Sequence, residues 1–257
     1  MTAAEFALLL AAGVGAGLVG SVAGLASLIS YPALLLTGVP PVTANMTNTV
    51  SMSLLAVGSV SASRPELRGQ RRRLLRHVPA GVLGGVAGAA LLVLTPSEAF
   101  EKIVPALIGL ASGAMLLARP PAELAVEGAR EQARHPHRDR WWLPLGTFAV
   151  AIYGGYFGAA AGVLMLAMYL LTTGEGMPRG NALRNVVLGA ANGVAALGFV
   201  VFGSVAWAAA LPLALGLFAG GLLGPGIVRR APQTLLRRLV ALAGLALAVH
   251  LAVQAWT

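Results

Sequence analysis

Residues 143–173, LPLGTFAVAIYGGYFGAAAGVLMLAMYLLTT, hold no charged side chain, and the run is too long for one membrane span and too short for two. A spanning helix needs about 20 mostly apolar residues. The run is also dense in glycine, at Gly146, Gly154, Gly155, Gly158 and Gly162. This pattern predicts a helix that breaks inside the bilayer, re-entering on one face or crossing twice. A second run of the same kind, residues 6–38, opens the chain with Gly13, Gly15, Gly17, Gly20 and Gly24. There the break is expected at Tyr31-Pro32, because proline disfavours helix at the residue before it.

Six further apolar runs each have the length of one span: 42–63, 77–95, 100–118, 182–202, 205–228 and 235–256. Composition agrees with them. The chain is 57% hydrophobic and 11% charged, with a mean hydropathy of +0.80; a soluble domain carries about a quarter charged residues. The expected fold is therefore all-α, a polytopic transmembrane helix bundle. No cysteine is present, which removes disulfide and thiolate chemistry. No Lys or Arg precedes the first apolar run, so that run is expected to stay in the mature protein rather than act as a cleaved signal.

The chain divides into two related halves, 1–118 and 142–257, joined by a polar linker at 119–141. An offset of 136 matches Gly84, Gly85, Gly88 and Pro96 to Gly220, Gly221, Gly224 and Pro232, and Gly38 to Gly174. A slightly smaller offset pairs Gly20 and Gly24 with Gly154 and Gly158. A slightly larger one pairs Ala44 with Ala182, and so Met46 with Arg184. The linker holds Glu123, Glu127, Glu131 and several arginines, and is expected to form a short amphipathic helix.

The net charge is +9, but apart from Arg179 and Arg184 the arginines fall in short segments: 64–76, the linker, and 229–238. That is the distribution of the positive-inside rule, and it leaves no domain for nucleic acid. All three segments are expected to be cytoplasmic. Segment 96–102, the repeat counterpart of 229–238, carries one lysine against Glu98 and Glu101 and falls outside. Equivalent loops on opposite faces make the repeats inverted, each beginning with its broken or re-entrant element, and put both termini in the periplasm.

Polar groups inside a membrane are expensive, so each calls for a reason. Asn45, Asn48 and Thr49 share one helical face at i, i+3 and i+4. In the second half Asn181, Asn185 and Asn192 form a stripe about 16 Å long at 1.5 Å per residue. Any single asparagine here could simply join two helices by a hydrogen bond. The recurrence of both stretches just after the broken elements favours a substrate site. Arg184 has no acidic neighbour in sequence. It either snorkels to the interface or presents a fixed positive charge to a carboxylate or sulfonate. The half-helix N-termini would add free N–H groups. Ser21, Ser27, Ser30, Tyr153 and Tyr156 are further possible donors.

Catalytic patterns are missing. His135 and His137 flank Pro136 in the linker, and His77 and His250 stand apart. There is no GxSxG, HExxH or phosphate-binding loop. No Asp or Glu lies within an apolar run away from its ends. No metal, cofactor or enzymatic activity is expected.

Along these residues the chain resembles the sulfite exporter TauE/SafE family of membrane permeases. The segments that carry the resemblance are Gly20-Ser21-Val22-Ala23-Gly24 through Pro32 and Gly38, then Ala44 to Asn48; Gly154 to Gly162; Asn181-Ala182-Leu183-Arg184-Asn185 through Asn192; and Gly220 to Gly224 with Arg229, Arg230 and Pro232. Leu25-Ala26-Ser27-Leu28 departs from it, where a more glycine-rich stretch is expected. The resemblance implies transport, mostly export, of small anions such as sulfite, organosulfonates or related sulfur-containing carboxylates across a bacterial inner membrane.

The site expected from all this comprises Ser27, Asn45, Asn48, Thr49, Tyr156, Asn181, Arg184, Asn185 and Asn192. Its partners are a small anion and the lipid bilayer, with a homodimer left open. An anion channel or a non-catalytic membrane assembly factor are the alternatives. Reporter fusions at both termini and at residues 70 and 130 should report periplasmic ends and cytoplasmic loops; a cytoplasmic C-terminus would overturn the inverted arrangement.

Overall fold

Both glycine-rich runs break. A computed structural model of the protein describes residues 1–117, 119–134, 141–227 and 233–256, and every regular element among them is a helix. The first run gives α1 (Ala3–Ala23) and α2 (Ser27–Leu36); the second gives α8 (Leu143–Tyr156) and α9 (Ala161–Thr173). Gly24 ends α1 at φ 76° and donates its N–H to the Gly20 carbonyl at 2.9 Å. Gly158 follows α8 at φ 79°. Only glycine takes this left-handed conformation at little cost. Ala160, at φ 61°, also takes it, just before α9.

The expectation of a break at Tyr31-Pro32 is corrected. Pro32 lies inside α2, and the chain turns at Gly24 to Ala26. A proline removes one backbone hydrogen bond, which neighbouring helices in a membrane protein can absorb. Reversing the chain requires a positive φ, and Gly24 supplies it.

The remaining elements are α3 (Pro41–Ala62), the short α4 (Arg64–Leu67), α5 (Arg71–Leu94), α6 (Ser97–Leu117), α7 (Pro121–Arg134), α10 (Met177–Phe202), α11 (Trp207–Ile227) and α12 (Gln233–Trp256). The segment expected as a loop at 64–76 is corrected in part, since α4 and the first turns of α5 occupy most of it. Five described stretches are long and apolar enough to cross a membrane: Ala3–Ser21, Arg71–Leu94, Ser97–Leu117, Met177–Phe202 and Trp207–Gly224. α3 has the length but is diluted by Thr43, Asn45, Thr47, Asn48, Thr49, Ser51 and Ser53 before Ser59 is reached. Arg229, Arg230, Pro232 and the His135-Pro136-His137 segment lie outside the described residues.

Small residues set the packing. Gly84 and Gly88 lie against the α8 backbone, at Phe148–Ile152 and Ile152–Tyr156. Gly220 and Gly224 lie against α1 in the same way, at Val14–Leu18 and Leu18–Ser21. Gly85 meets Ala191 of α10, and Gly221 meets Leu55 of α3. Residues matched at an offset of 136 thus have matched neighbours: α5 packs on α8 and α10, and α11 packs on α1 and α3. α6 and α12 pack on each other through Gly109 beside Ala248 and Ser112 beside Gly244.

This packing also gives a second register beside the motif pairing. With Leu55 matched to Ala191 through their contacts with Gly221 and Gly85, Asn45 falls opposite Asn181 and Asn48 opposite Arg184. That register differs by two residues from the pairing of Ala44 with Ala182 and of Met46 with Arg184.

The linker helix α7 is amphipathic, as expected, and it packs on the bundle. Leu124 inserts beside Leu166 and Leu170 of α9, and Gly128 brings the backbones together. On the other face, Arg119 pairs with Glu127 at 2.8 Å.

Close by, the α9–α10 turn is tied to the arginine segment of the first half. Glu175 forms ion pairs with Arg73 and with Arg179, the latter at 2.5 Å. Arg73 also donates to the Thr173 carbonyl at 3.2 Å, Arg179 to Arg68 at 3.1 Å, and Gln70 to the Arg179 carbonyl at 3.1 Å. Partial burial opposes ionisation of Glu175. Hydrogen bonds from Arg179 and Arg73, with their charges, outweigh it and hold the carboxyl below its ordinary range. A depressed folded value stabilises the protein above the unfolded value, about 4.3, and that contribution is lost as pH falls through the folded value.

Two outcomes follow for stability. Gly88→Val forces a side chain onto backbone atoms, with Tyr156 N only 2.7 Å from the new Cβ. It should cost about 1–3 kcal/mol or more and lower both membrane abundance and the thermal midpoint in detergent. Gly15→Ala, whose Cβ meets nothing within 4 Å, should leave both unchanged. Glu175→Gln should remove part of the wild-type loss of thermal stability on acidification below about pH 4.3, measured by a pH series of melting curves.

Candidate anion-binding site

The two breaks face each other. A Cβ on Gly162 would lie 2.6 Å from Gly24 Cα, so the hairpins meet through bare backbone. Beside this contact is a cavity lined by both hairpins and by one face each of α3 and α10. It offers about 50 Å³ to the centres of water-sized groups, several times the ~10–15 Å³ that one water needs. α3 contributes Thr49, Met52, Ala56 and Ser59; α10 contributes Asn185, Leu188, Gly189 and Asn192. Both sets follow helical spacing, which is how one face of each helix reaches the same space.

Of the expected residues, Ser27, Thr49, Arg184, Asn185 and Asn192 line this cavity. The other four stand in its walls. Asn45 Nδ2 donates to the Tyr156 carbonyl at 2.8 Å, at the end of α8. Asn181 Nδ2 donates to the Ser21 carbonyl at 2.8 Å, near the end of α1. In the register of the glycine contacts these two asparagines fall opposite one another, and they tie down corresponding helix ends. Asn48 bonds Ser30 at 2.6 Å and Ser27 at 3.3 Å, which fastens α2 to α3. The Tyr156 ring packs edge-on against Phe100 at 5.9 Å.

Other possible donors are engaged internally. Ser21 donates to Leu18, Ser30 to Ala26, and Tyr153 to Ala159 across the second break, at 2.6 Å. His77 is buried and meets Thr147 at 3.0 Å, where Thr147 also meets Tyr169 at 3.1 Å.

Arg184 does not snorkel. It is 2% exposed and sits seven residues into α10, about 10 Å along the helix axis. Its Nη2 donates to the Gly20 and Ser21 carbonyls at 3.0 Å each and to Asn185 Oδ1 at 2.5 Å. Its Nε and Nη1 are buried with no protein partner. Nη1 lies between the two breaks, close to Gly24 and Gly162. A buried guanidinium with open donors at a cavity wall is costly unless something accepts from it.

The two half-helices that start at the cavity add to this. α2 begins after Ala26 and α9 after Ala160, and neither N-terminus has a side-chain cap. The carbonyls just before each helix take most of its first N–H groups: Leu25 and Ala26 accept from Leu28 and Ile29, and Gly158 and Ala160 accept from Ala161 and Val163. The N–H groups of Ser27 and Gly162 and the open side of Arg184 remain as one set of donors at the cavity. Sequence reasoning missed Met52, Leu55, Ala56, Ser59, Phe157 and Leu188. The first four could have been found by continuing the helical spacing from Thr49.

A helix bundle with interrupted helices around a cavity that holds one buried arginine is the architecture of a multi-pass membrane transporter. The family described as Sulfite exporter TauE/SafE matches residues 9–251, and the chain belongs to it. Among curated relatives, a probable membrane transporter protein of Haemophilus influenzae is 30% identical over 91% of this chain and 89% of its own. The probable membrane transporter protein ORF9 of Sinorhizobium sp. is 27% identical over 92% and 88%. The probable membrane transporter protein YfcA of Escherichia coli K12 is 26% identical over 88% and 81%. No solved structure matches the chain.

Proposed function

We propose that this chain exports a small anion, such as sulfite, an organosulfonate or a related sulfur-containing carboxylate, across a bacterial inner membrane by alternating access. The observation that carries this reading is the pair of buried, open donors on Arg184, Nε and Nη1, at the cavity where α2 and α9 start. Helix N-termini favour anions, and a guanidinium binds a carboxylate or sulfonate through two parallel hydrogen bonds. The family supplies transport as the task.

In this reading the anion sits against Arg184, with Asn185 and Asn192 from α10 and Ser27 and Thr49 from the first half completing its shell. Asn45, Asn48, Asn181 and Tyr156 hold the walls in position. The halves are inverted relative to one another, an arrangement supported by the reciprocal packing of α5 on α8 and α11 on α1. Access alternates as the halves rock about the cavity, and the Glu175 cluster closes the end that bears the arginines. That end is cytoplasmic by its charge.

Arg184→Gln should abolish uptake of labelled sulfite or a sulfonate into proteoliposomes. Asn192→Ala, which removes a cavity group without touching the ties to α1, should lower flux about tenfold with membrane abundance unchanged. Wild-type flux in both variants would remove the site. Flux that saturates at low concentration supports a carrier, and unsaturating, potential-driven conductance would make the protein a channel.

A further inference from the structure

The geometry points to a cargo that carries a single negative charge and no cationic group. This rests on the anion-binding reading above and narrows it. Arg184 is the one charged side chain among the described residues lining the cavity, and no acidic side chain joins it there.

The helix ends do not change that balance. The closing carbonyls of Gly20, Ser21 and Tyr156 accept from Arg184, Asn181, Asn185 and Asn45, and the opening N–H groups of Leu28, Ile29, Ala161 and Val163 donate to the carbonyls just before them, so each hairpin leaves little partial charge unmet. Gly20 and Gly24 represent the closing end of α1, and Ala26 and Ser27 the opening end of α2; Gly154 and Phe157 belong to α8, and Ala161 and Gly162 to α9. What remains is the single positive charge of Arg184. A singly charged anion neutralises it.

A dianion would bring a second charge to a site whose described lining holds one cation, already matched by the first, and uncompensated buried charge is strongly disfavoured. A zwitterion fares no better. Its ammonium would need a carboxylate, and none of the described acidic side chains, from Glu5 to Glu175, lines the cavity. Met52, Leu55, Ala56, Phe157 and Leu188 instead offer apolar surface to an uncharged remainder of the cargo. The charge of the cargo is thus selected by subtraction: one fixed cation, helix ends mostly satisfied within the fold, and walls that are neutral.

Size-matched pairs separate charge from volume. Propane-1-sulfonate and taurine have equal numbers of heavy atoms and differ by an ammonium; malonamate and malonate differ by one negative charge. Binding to the purified full-length protein is measured by titration calorimetry, and uptake into proteoliposomes with labelled compounds, both at neutral pH. Propane-1-sulfonate and malonamate should each bind at least roughly tenfold tighter than their partners, about 1.4 kcal/mol, and should be the members transported. Arg184→Lys, which keeps the charge, should preserve the order; Arg184→Gln should abolish it. Equal or tighter binding of taurine or malonate overturns the single-charge inference and leaves the anion site standing. A preference that survives in Arg184→Gln overturns it too, by removing its source. If none of the four compounds and no sulfite binds to wild type, the anion-binding reading itself fails.

Discussion

A helix that stops inside a bilayer leaves backbone carbonyls at one end and N–H groups at the other, with no water to satisfy them. The structure deals with the two kinds of end differently. The carbonyl ends are tied down. Ser21 receives Asn181, Asn185 and Arg184, Gly20 receives Arg184, and Tyr156 receives Asn45. The amide ends of α2 and α9 have no side-chain cap and are met mostly by the carbonyls of Leu25, Ala26, Gly158 and Ala160 in the turns before them. The polar residues of α3 and α10 are therefore mostly explained by the acceptors they meet, and the open donors of Arg184 mark the site. This division lets a few asparagines and one arginine support the whole arrangement.

The frame around the hairpins has a different basis. In lipid, helices are not driven together by the hydrophobic effect, and close van der Waals contact between small residues takes its place. Gly84, Gly85 and Gly88 on α5 and Gly220, Gly221 and Gly224 on α11 each bring two neighbouring helices to backbone contact. The same six glycines hold α1 and α8, the helices that end at the cavity. The frame thus sets where the breaks lie, and the asparagines set how their ends are satisfied.

Much of this was legible in the sequence. The two glycine-rich runs announced broken helices by length alone, and Arg184 stood out as a charge in an apolar context. The polar stretches of α3 and α10 were legible as a pair. Their division of labour was not. Asn181 and Asn185 are four residues apart on one face, yet Asn181 holds a wall while Asn185 also borders the cavity. That distinction depends on where α1 ends, which is set by Gly24 and the α11 contacts and leaves no local mark near Asn181. The break at Gly24 was obscured by the louder signal of Pro32, which a membrane helix tolerates. The match of Arg184 with Asn48 comes from the glycine contacts of α5 and α11. It also shows how the halves diverge: the position that holds a guanidinium in one holds a neutral amide, bonded to two serines, in the other.

The contact between Gly24 and Gly162 joins the first break to the start of α9 with no side chain on either glycine. The distance between the two hairpins is therefore set by backbone against backbone, with nothing that could yield by changing rotamer. Because Arg184 Nη1 lies against that same point, the place of the charged group at the cavity is fixed where neither glycine has room for so much as a methyl group.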